Sequence, residues 1–370
     1  MSLLTCDGFE NWATQSDMAA RWTNRNLASS GNLAAVAQCT FPAGRFGTGQ
    51  CMRLYSQASS TGGASSNVYQ DIPLIADQTT LFIGFAMNLQ IPGLAGVVHV
   101  WLLDLNSANN IDIRYTSGPT FYVTRNGTTL CTANRTSLTL TWVYIELAVN
   151  ISATAGWCEL YLDGQMVASY YGTGTSRGTA TGNTVANLPS VRSVRLGWSY
   201  GGGNQNEIWF DDLYICNAAG TINNDRLGDV RVATLLPSGT GALAQFTRGG
   251  TDSGNNWDQV NEANINADTD YVFSNTVGNT DTYAYTDLPA GAVSVKGAVA
   301  QFAARRDDAG SRTLRGIVRQ GGTNYNTPAT ANMTASYASA QLPMDVNPAT
   351  GLAWTVSDVN ADEFGVQVVA

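Results

Sequence analysis

Three carboxylates, Glu207, Asp211 and Asp212, fall within NEIWFDDLYIC (206–216), set among bulky apolar side chains. Carboxylates at the right separation cleave glycosidic bonds, one as acid and one as nucleophile or base, and clustered carboxylates clamp hard metal ions. In an extended strand consecutive side chains point to opposite faces, so Asp211 and Asp212 are expected to diverge. Glu207 and Asp211 share a face, but four steps of ~3.3 Å put them about 13 Å apart. Retaining glycosidases need roughly 5–5.5 Å between carboxyls and inverting ones roughly 6.5–9.5 Å. The pair fits neither. These acids are expected near the wet end of an interior strand, accepting backbone or arginine hydrogen bonds. Glu146, Glu159, Asp163 and Glu207 on neighbouring strands remain as the set from which a hydrolytic site could be built.

Other chemistry is sparse. The single histidine, His99, lies in VVHVW (97–101) with no acid beside it, and is expected to be structural rather than part of a triad or zinc site. The only lysine, Lys296, is not in a phosphate-binding loop, and Gly201-Gly202-Gly203 joins two strand patterns rather than a strand and a helix. No cofactor is expected. Calcium is the one ion with candidate ligands: Asp104, Asn106, Asn110 and Asp112, or Asn264, Asn266, Asp268 and Asp270. Neither run has the glycine and glutamate of an EF-hand loop, and Asn and Asp at this density serve turns. Cysteines stand at 6, 39, 51, 131, 158 and 216 without a C-x-x-C pair, which argues against structural zinc and for buried thiols. Trp198, Tyr200, Tyr170 and Tyr171 are the candidates for stacking on sugar rings, with core or interface packing as the plainer reading.

The elements that must hold these residues read as strands. Residues 142–149 (WVYIELAV) place Val143, Ile145, Leu147 and Val149 on one face, and 158–170 reads as a hairpin turning at Asp163-Gly164. Further strands are expected over 80–90, 97–105, 111–115, 120–125 and 191–198, and later over 229–236, 270–274, 282–287, 293–304, 312–319 and 364–369. Residues 305–311 fit a hairpin loop. Long helices are absent. The polar, small-residue stretch around 218–226 reads as a linker between domains at 1–217 and 227–370, and no cysteine follows Cys216.

A net charge of −9 with only 13% charged residues excludes a basic nucleic-acid groove or a face for anionic membranes. No apolar window of about 20 residues occurs. The opening MSLLTCDGFENWA has neither the basic nor the apolar region of a Sec-type signal peptide.

Residues 142–149, then 156–162, then the Asp163-Gly164 hairpin with its returning strand resemble the central signature of laminin-G-like, concanavalin A-like jelly rolls. IWFDDLYI (208–215) looks like that family's last strand, and CDGFENW (6–12) is similar to the first strand of phage-encoded members. LGDVRV (227–232), NWDQVNE (256–262), TDYVFS (269–274) and VNADEFGV (359–366) resemble C-terminal domains attached to such jelly rolls in tailed-bacteriophage virion proteins. The resemblance implies an all-β chain, a concanavalin A-like jelly-roll sandwich followed by a second, smaller β-sandwich. It implies a non-enzymatic structural protein of the virion, a head-decoration or tail/fibre component assembled in the host cytoplasm. Its partners would be other virion proteins and copies of itself, with no nucleic acid and no membrane. Two alternatives stand beside it: an adhesin module recognising host surface glycans, and a polysaccharide depolymerase. Laminarinase-like hydrolases share the jelly roll but carry an ExDxE-type strand that this sequence lacks. Because the first and last strands of that fold meet in one sheet, the resemblance also makes Cys6 and Cys216 a candidate disulfide.

Overall fold

Alternation builds the first sheet. On the strand Thr80–Ile91, Leu81, Ile83, Phe85, Met87 and Leu89 are buried in one core, while Phe82, Ala86 and Asn88 turn to the opposite face. Between them Gly84 leaves room for the ring of Tyr214, with which a Cβ would collide. The computed structural model describes residues 2–18, 21–26, 39–56, 68–91, 97–116, 120–135, 139–199, 206–251 and 254–370.

Within residues 2–217 the strands run β1 (Leu3–Asp7), β2 (Thr23–Asn26), β3 (Cys39–Thr40), β4 (Met52–Ser56), β5 (Val68–Gln78), β6 (Thr80–Ile91), β7 (Val97–Leu103) and β8 (Asn109–Thr116). They continue as β9 (Thr120–Arg125), β10 (Thr128–Asn134), β11 (Trp142–Asn150), β12 (Trp157–Leu162), β13 (Gln165–Tyr170), β14 (Val191–Ser199) and β15 (Asn206–Asn217). An eight-stranded sheet has the order β13-β12-β11-β6-β15-β4-β3, with β1 also on β15; a seven-stranded sheet has the order β10-β9-β8-β7-β14-β5-β2. The two pack face to face as a jelly-roll sandwich around Phe9, Trp12, Trp22, Phe85, Phe121 and Phe210. β1 lies antiparallel to β15, Cys6 opposite Tyr214 and Leu3 opposite Cys216. The buried Asp7 at its end accepts from Phe9 N, the indoles of Trp12 and Trp22, and Arg21 Nη1 at 2.6 Å. A charge out of water is tolerated only with such a set of donors.

The remaining residues form a smaller β-sandwich. A five-stranded sheet runs Pro237–Ala244, Thr280–Tyr285, Glu363–Val368, Thr313–Gln320, Thr323–Asn332, and a ribbon of Ala298–Ala304 with Ala338–Met344 packs on it through Val318, Met344, Trp354 and Val359. A second ribbon pairs Thr247–Gly250 with Asp270–Phe273. Two expectations are corrected here. Residues 229–236 form no strand, because their backbone groups bond to side chains of the jelly roll instead of to a ladder. Residues 305–311 are no hairpin loop: the strands they join pair with different partners, in separate sheets.

The stretch after β15 is not a free tether. Asn223 donates to Lys296 O, Arg226 pairs with Glu146 at 2.6 Å, Gly228 N donates to Glu146, Val232 N to Asp212 and Thr234 N to Glu10. It lies across the outer face of the eight-stranded sheet. There Phe82, Tyr144, Trp157 and Tyr214 form a second apolar cluster with Leu227, Val230 and Val299. Gln341 Nε2 donates to Cys6 O on the same side, and Asp345 accepts from Ser2 N and Leu3 N.

Candidate functional site

The two outer faces of the jelly roll differ in what they offer. On the eight-stranded sheet, β15 breaks alternation: Phe210 and Leu213 both enter the core, so Asp211 and Asp212 both face outward. The cause is a β-bulge between Asp211 and Tyr214, with Asp212 in the left-handed region at φ 52°. The expected divergence of the two acids is therefore wrong. Asp211 accepts from Arg45 N at 2.7 Å and Asp212 N at 2.8 Å; Asp212 accepts from Val232 N at 2.8 Å, with Arg45 Nη1 at 3.6 Å. Burial, then the charge of Asp212, pushes Asp211 up to about 8, and burial pushes Asp212 up to about 6 against Val232 N and Arg45. Both are sealed beneath the chain.

The other acids of this face are closed off one by one. Glu146 is fully buried under Arg226 and takes the Tyr214 hydroxyl at 2.5 Å. Glu159 sits diagonally across β12 and is gripped by Arg177, Tyr161 and Tyr171; burial raises its carboxyl, but these partners outweigh burial and hold it below the ordinary range. Asp163 lies in the hairpin turn with Arg135, and Glu207 pairs with Arg53 at 2.7 Å. Each of these four carboxylates is thus paired with an arginine.

On the seven-stranded sheet, side chains from successive strands stand in one cross-strand row. Asp71 of β5 is opposite Arg195 of β14, Arg195 opposite Trp101 of β7, Trp101 opposite Asp112 of β8, and Asp112 opposite Thr124 of β9. Asp71, Asp112, Thr124 and Trp101 are the buried floor. Arg195 grips Asp71 with Nε and Nη2 at 2.5 and 2.8 Å and lies over the Tyr69 ring at 3.7 Å. Burial pushes Asp71 above the ordinary carboxylate range, with Arg195 opposing it. Arg114 grips Asp112 through Nε at 2.7 Å and Nη2 at 3.3 Å, and Thr124 donates to the same carboxylate at 2.6 Å. Arg114 stands opposite Tyr122 on β9. The half-buried Arg195, Arg114, Tyr69 and Tyr122 are the groups through which this row meets solvent. Sequence reasoning missed it, because the row exists only through pairing of distant strands.

Tyr170 packs against the main core, its hydroxyl accepting from Asn183 N at 3.3 Å, and Tyr171 donates to Glu159 at 2.7 Å. Trp198 and His99 lie in β14 and β7 with side chains outside the described residues, as is Tyr200 altogether. Cys6 and Cys216 are free thiols. Most of the calcium candidates are engaged with protein groups, while Asn264 Oδ1 is buried without a hydrogen-bond partner. Asp104 accepts from Asn106 N, Ala108 N and Asn187, and Asn110 bonds to residues 186–190. Asn266 donates to Asp270, and Asp268 pairs with Arg305. Among the described residues no group of three or more His, Cys, Asp or Glu side chains is placed to hold a metal ion.

No protein-family model matches the sequence, and no curated protein matches it. Solved structures similar to the chain include a cellulose-induced protein, Cip1, at 16% identity over 61% of this chain and 100% of that one, with a TM-score of 0.42. The catalytic domain of a glycoside hydrolase family 131 protein from Coprinopsis cinerea shares 13% identity over 62% and 99%, with a TM-score of 0.39. Alginate lyase AlgAT5 from polysaccharide lyase family 7 shares 13% over 53% and 94%, with a TM-score of 0.36. These are carbohydrate-related β-sandwiches, two of them enzymes, and no comparison points to a virion protein. The expected function, a non-enzymatic virion component, is corrected on that finding. The jelly-roll sandwich stands; the phage assignment and the exclusion of catalysis do not.

Proposed function

We propose that the protein is a polysaccharide depolymerase that holds an extended glycan against the outer face of the seven-stranded sheet. The observation that carries this reading is the row Asp71–Arg195–Trp101–Asp112–Thr124, crowned by Tyr69, Arg114 and Tyr122. Sugar rings are bound by flat aromatic and guanidinium surfaces beside fixed hydrogen-bond donors, and buried carboxylates fix both arginines here. Each guanidinium spends Nε and Nη2 on its aspartate, so Nη1 is not used in that grip.

The reaction follows from what the row lacks. Asp71 and Asp112 lie three strand spacings apart, roughly 14 Å, beyond the roughly 5–9.5 Å that two-carboxylate hydrolysis needs. Each is also tied to an arginine. A guanidinium beside a phenol, as in Arg114 and Tyr122, suits another cleavage. Arg114 neutralises the carboxylate of a uronic acid; Tyr122, reacting as its phenolate, takes the proton from the carbon beside that carboxylate and passes it to the glycosidic oxygen as the C–O bond breaks and a carbon–carbon double bond forms. The substrate class is then a uronate-containing polysaccharide, and the product bears an unsaturated end.

Incubating the protein with uronate-rich and neutral polysaccharides tests this. Chain shortening with ultraviolet-absorbing unsaturated ends is expected from the uronate polymers alone, falling about 10²-fold or more in Tyr122→Phe. New reducing ends without unsaturation would replace elimination by hydrolysis. No shortening of any polymer would end the depolymerase reading.

A further inference from the structure

We propose that Cys131 and Cys158 are a disulfide-forming pair that cross-links the two sheets of the jelly roll when the protein meets a disulfide-class oxidant such as oxidised glutathione. Cys131 lies on β10, an edge strand of the seven-stranded sheet, and Cys158 on β12, one strand in from the edge of the eight-stranded sheet. Their Sγ atoms are 3.9 Å apart across the gap between the sheets. After a bulge between Thr129 and Cys131 the ladder is regular, with Cys131 opposite Val123 and Ala133 opposite Phe121. Val123 and Phe121 are core residues, so the Cys131 thiol turns inward toward Cys158, which lies on the core face of β12 with Leu160. A disulfide requires sulfurs ~2.05 Å apart, so closure needs about 1.9 Å of approach, within reach of side-chain rotation at an edge strand.

The asymmetry of the pair gives the order of events. Cys131 is half-buried and reachable, whereas Cys158 is buried and its thiol is pushed well above the ordinary range by the hydrogen bond with Cys131 and by burial. Cys131 as thiolate attacks one sulfur of oxidised glutathione, forming a mixed disulfide and releasing one glutathione. The Cys158 sulfur, losing its proton, then attacks the Cys131 sulfur and releases the second. Two thiols are oxidised and one glutathione disulfide is reduced to two thiols, so electrons and protons balance. The bond closes the separate edges of the sandwich, where β10 and β13 lie side by side without pairing.

The test treats the full chain with oxidised glutathione, alkylates remaining thiols under denaturing conditions, and maps the peptides. Expected are a loss of two of the six alkylatable thiols, a peptide joined through Cys131 and Cys158, and a Tm raised by roughly 5–10 °C. Cys131→Ser, at a half-buried position, should keep the β-type circular dichroism and show neither the joined peptide nor the rise. The proposal is overturned if all six thiols stay alkylatable, if glutathione remains on Cys131 without exchange, if another pair is joined, or if Cys131→Ser keeps the Tm rise.

Discussion

The two outer faces of the jelly roll use one set of parts: a buried carboxylate, a guanidinium gripping it, and an aromatic ring beneath the guanidinium. On the eight-stranded face these are Glu146, Arg226 and Tyr161, with the guanidinium 3.3 Å from the ring, and Glu159, Arg177 and Trp157 at 4.7 Å. On the seven-stranded face they are Asp71, Arg195 and Tyr69 at 3.7 Å. What differs is where the arginine comes from. Arg226 and Arg177 belong to segments laid over the sheet, so each of these two ion pairs pulls a cover down, while Arg53 of β4 pairs with Glu207 within the sheet. Arg195 and Arg114 belong to strands of the sheet itself, so their pairs hold the arginines flat and leave the far side of each guanidinium to solvent. Closing one face and leaving the other to a ligand takes the same chemistry with the cation moved.

The largest effect should come from removing a cation that covers. Arg226→Ala leaves Glu146 fully buried without its counter-charge, and breaking such a pair costs about 3–5 kcal/mol. The urea midpoint should fall accordingly, and segment 223–232 should become open to protease. A loss below about 1 kcal/mol, typical of an exposed pair, would mean that the apolar contacts of Leu227 and Val230 close this face without the ion pair.

A smaller effect is expected from pH. Asp211 and Asp212 are both raised in the folded state from an ordinary 3.8, so the native protein holds protons there that the unfolded chain has released. A raised acid contributes stability that is present below the unfolded value and is lost as pH rises through the folded one. Between pH 4 and about 8 stability should therefore fall as pH rises. Glu159 and Glu207 are lowered and act in the opposite sense, below their unfolded value of 4.5, so the window from pH 6 to 8 reads the raised acids, Asp211 and Asp212 together with Glu10, Asp71 and Asp362. Asp211 is raised further than Asp212, and Arg45 Nη1 stands 3.6 Å from Asp212 Oδ2 and favours its charged form, which puts the held proton on Asp211. Asp211→Asn should flatten the slope of stability against pH in that window. An unchanged slope would remove the aspartates as its source.

How much of this was legible in the sequence depended on range. The hairpin at Asp163-Gly164 was readable because its turn needs two residues at positive φ, and both have it, at 47° and 79°. The alternation of 142–149 was readable because each side of that strand meets one environment. The reading failed at Asp211-Asp212, where one left-handed residue inverts every later side chain of β15. Two consecutive aspartates, among the residues that enter that conformation most cheaply, were the only available sign. The stretch around 218–226 looked like a linker because its composition is that of a loop, whereas its partners Glu146, Lys296 and Asp345 lie far away in sequence. The row on the seven-stranded face is wholly non-local: Asp71, Arg195, Trp101 and Asp112 become neighbours only once β5, β14, β7 and β8 are placed side by side.

The smallest stability change, and the sharpest test of the contrast, should come from Tyr69→Ala. Tyr69 sits over Arg195 and edge-on to Trp101, ring centroids 6.3 Å apart, on the face left to ligand. Arg195 keeps both hydrogen bonds to Asp71 when the ring is removed, so no buried charge is stranded. The loss should be that of one partly exposed cation–π contact, about 0.5–1 kcal/mol. Polysaccharide affinity should drop further, about tenfold or 1.4 kcal/mol, because a stacking surface for a sugar ring is gone. Comparing Tyr69→Ala with Arg226→Ala by denaturation and by polysaccharide binding then separates the faces: the first variant should lose binding with little stability, the second stability first. Equal affinity in Tyr69→Ala and wild type would mean that the glycan does not lie along this row, and the division between a covered face and a binding face would fall with it.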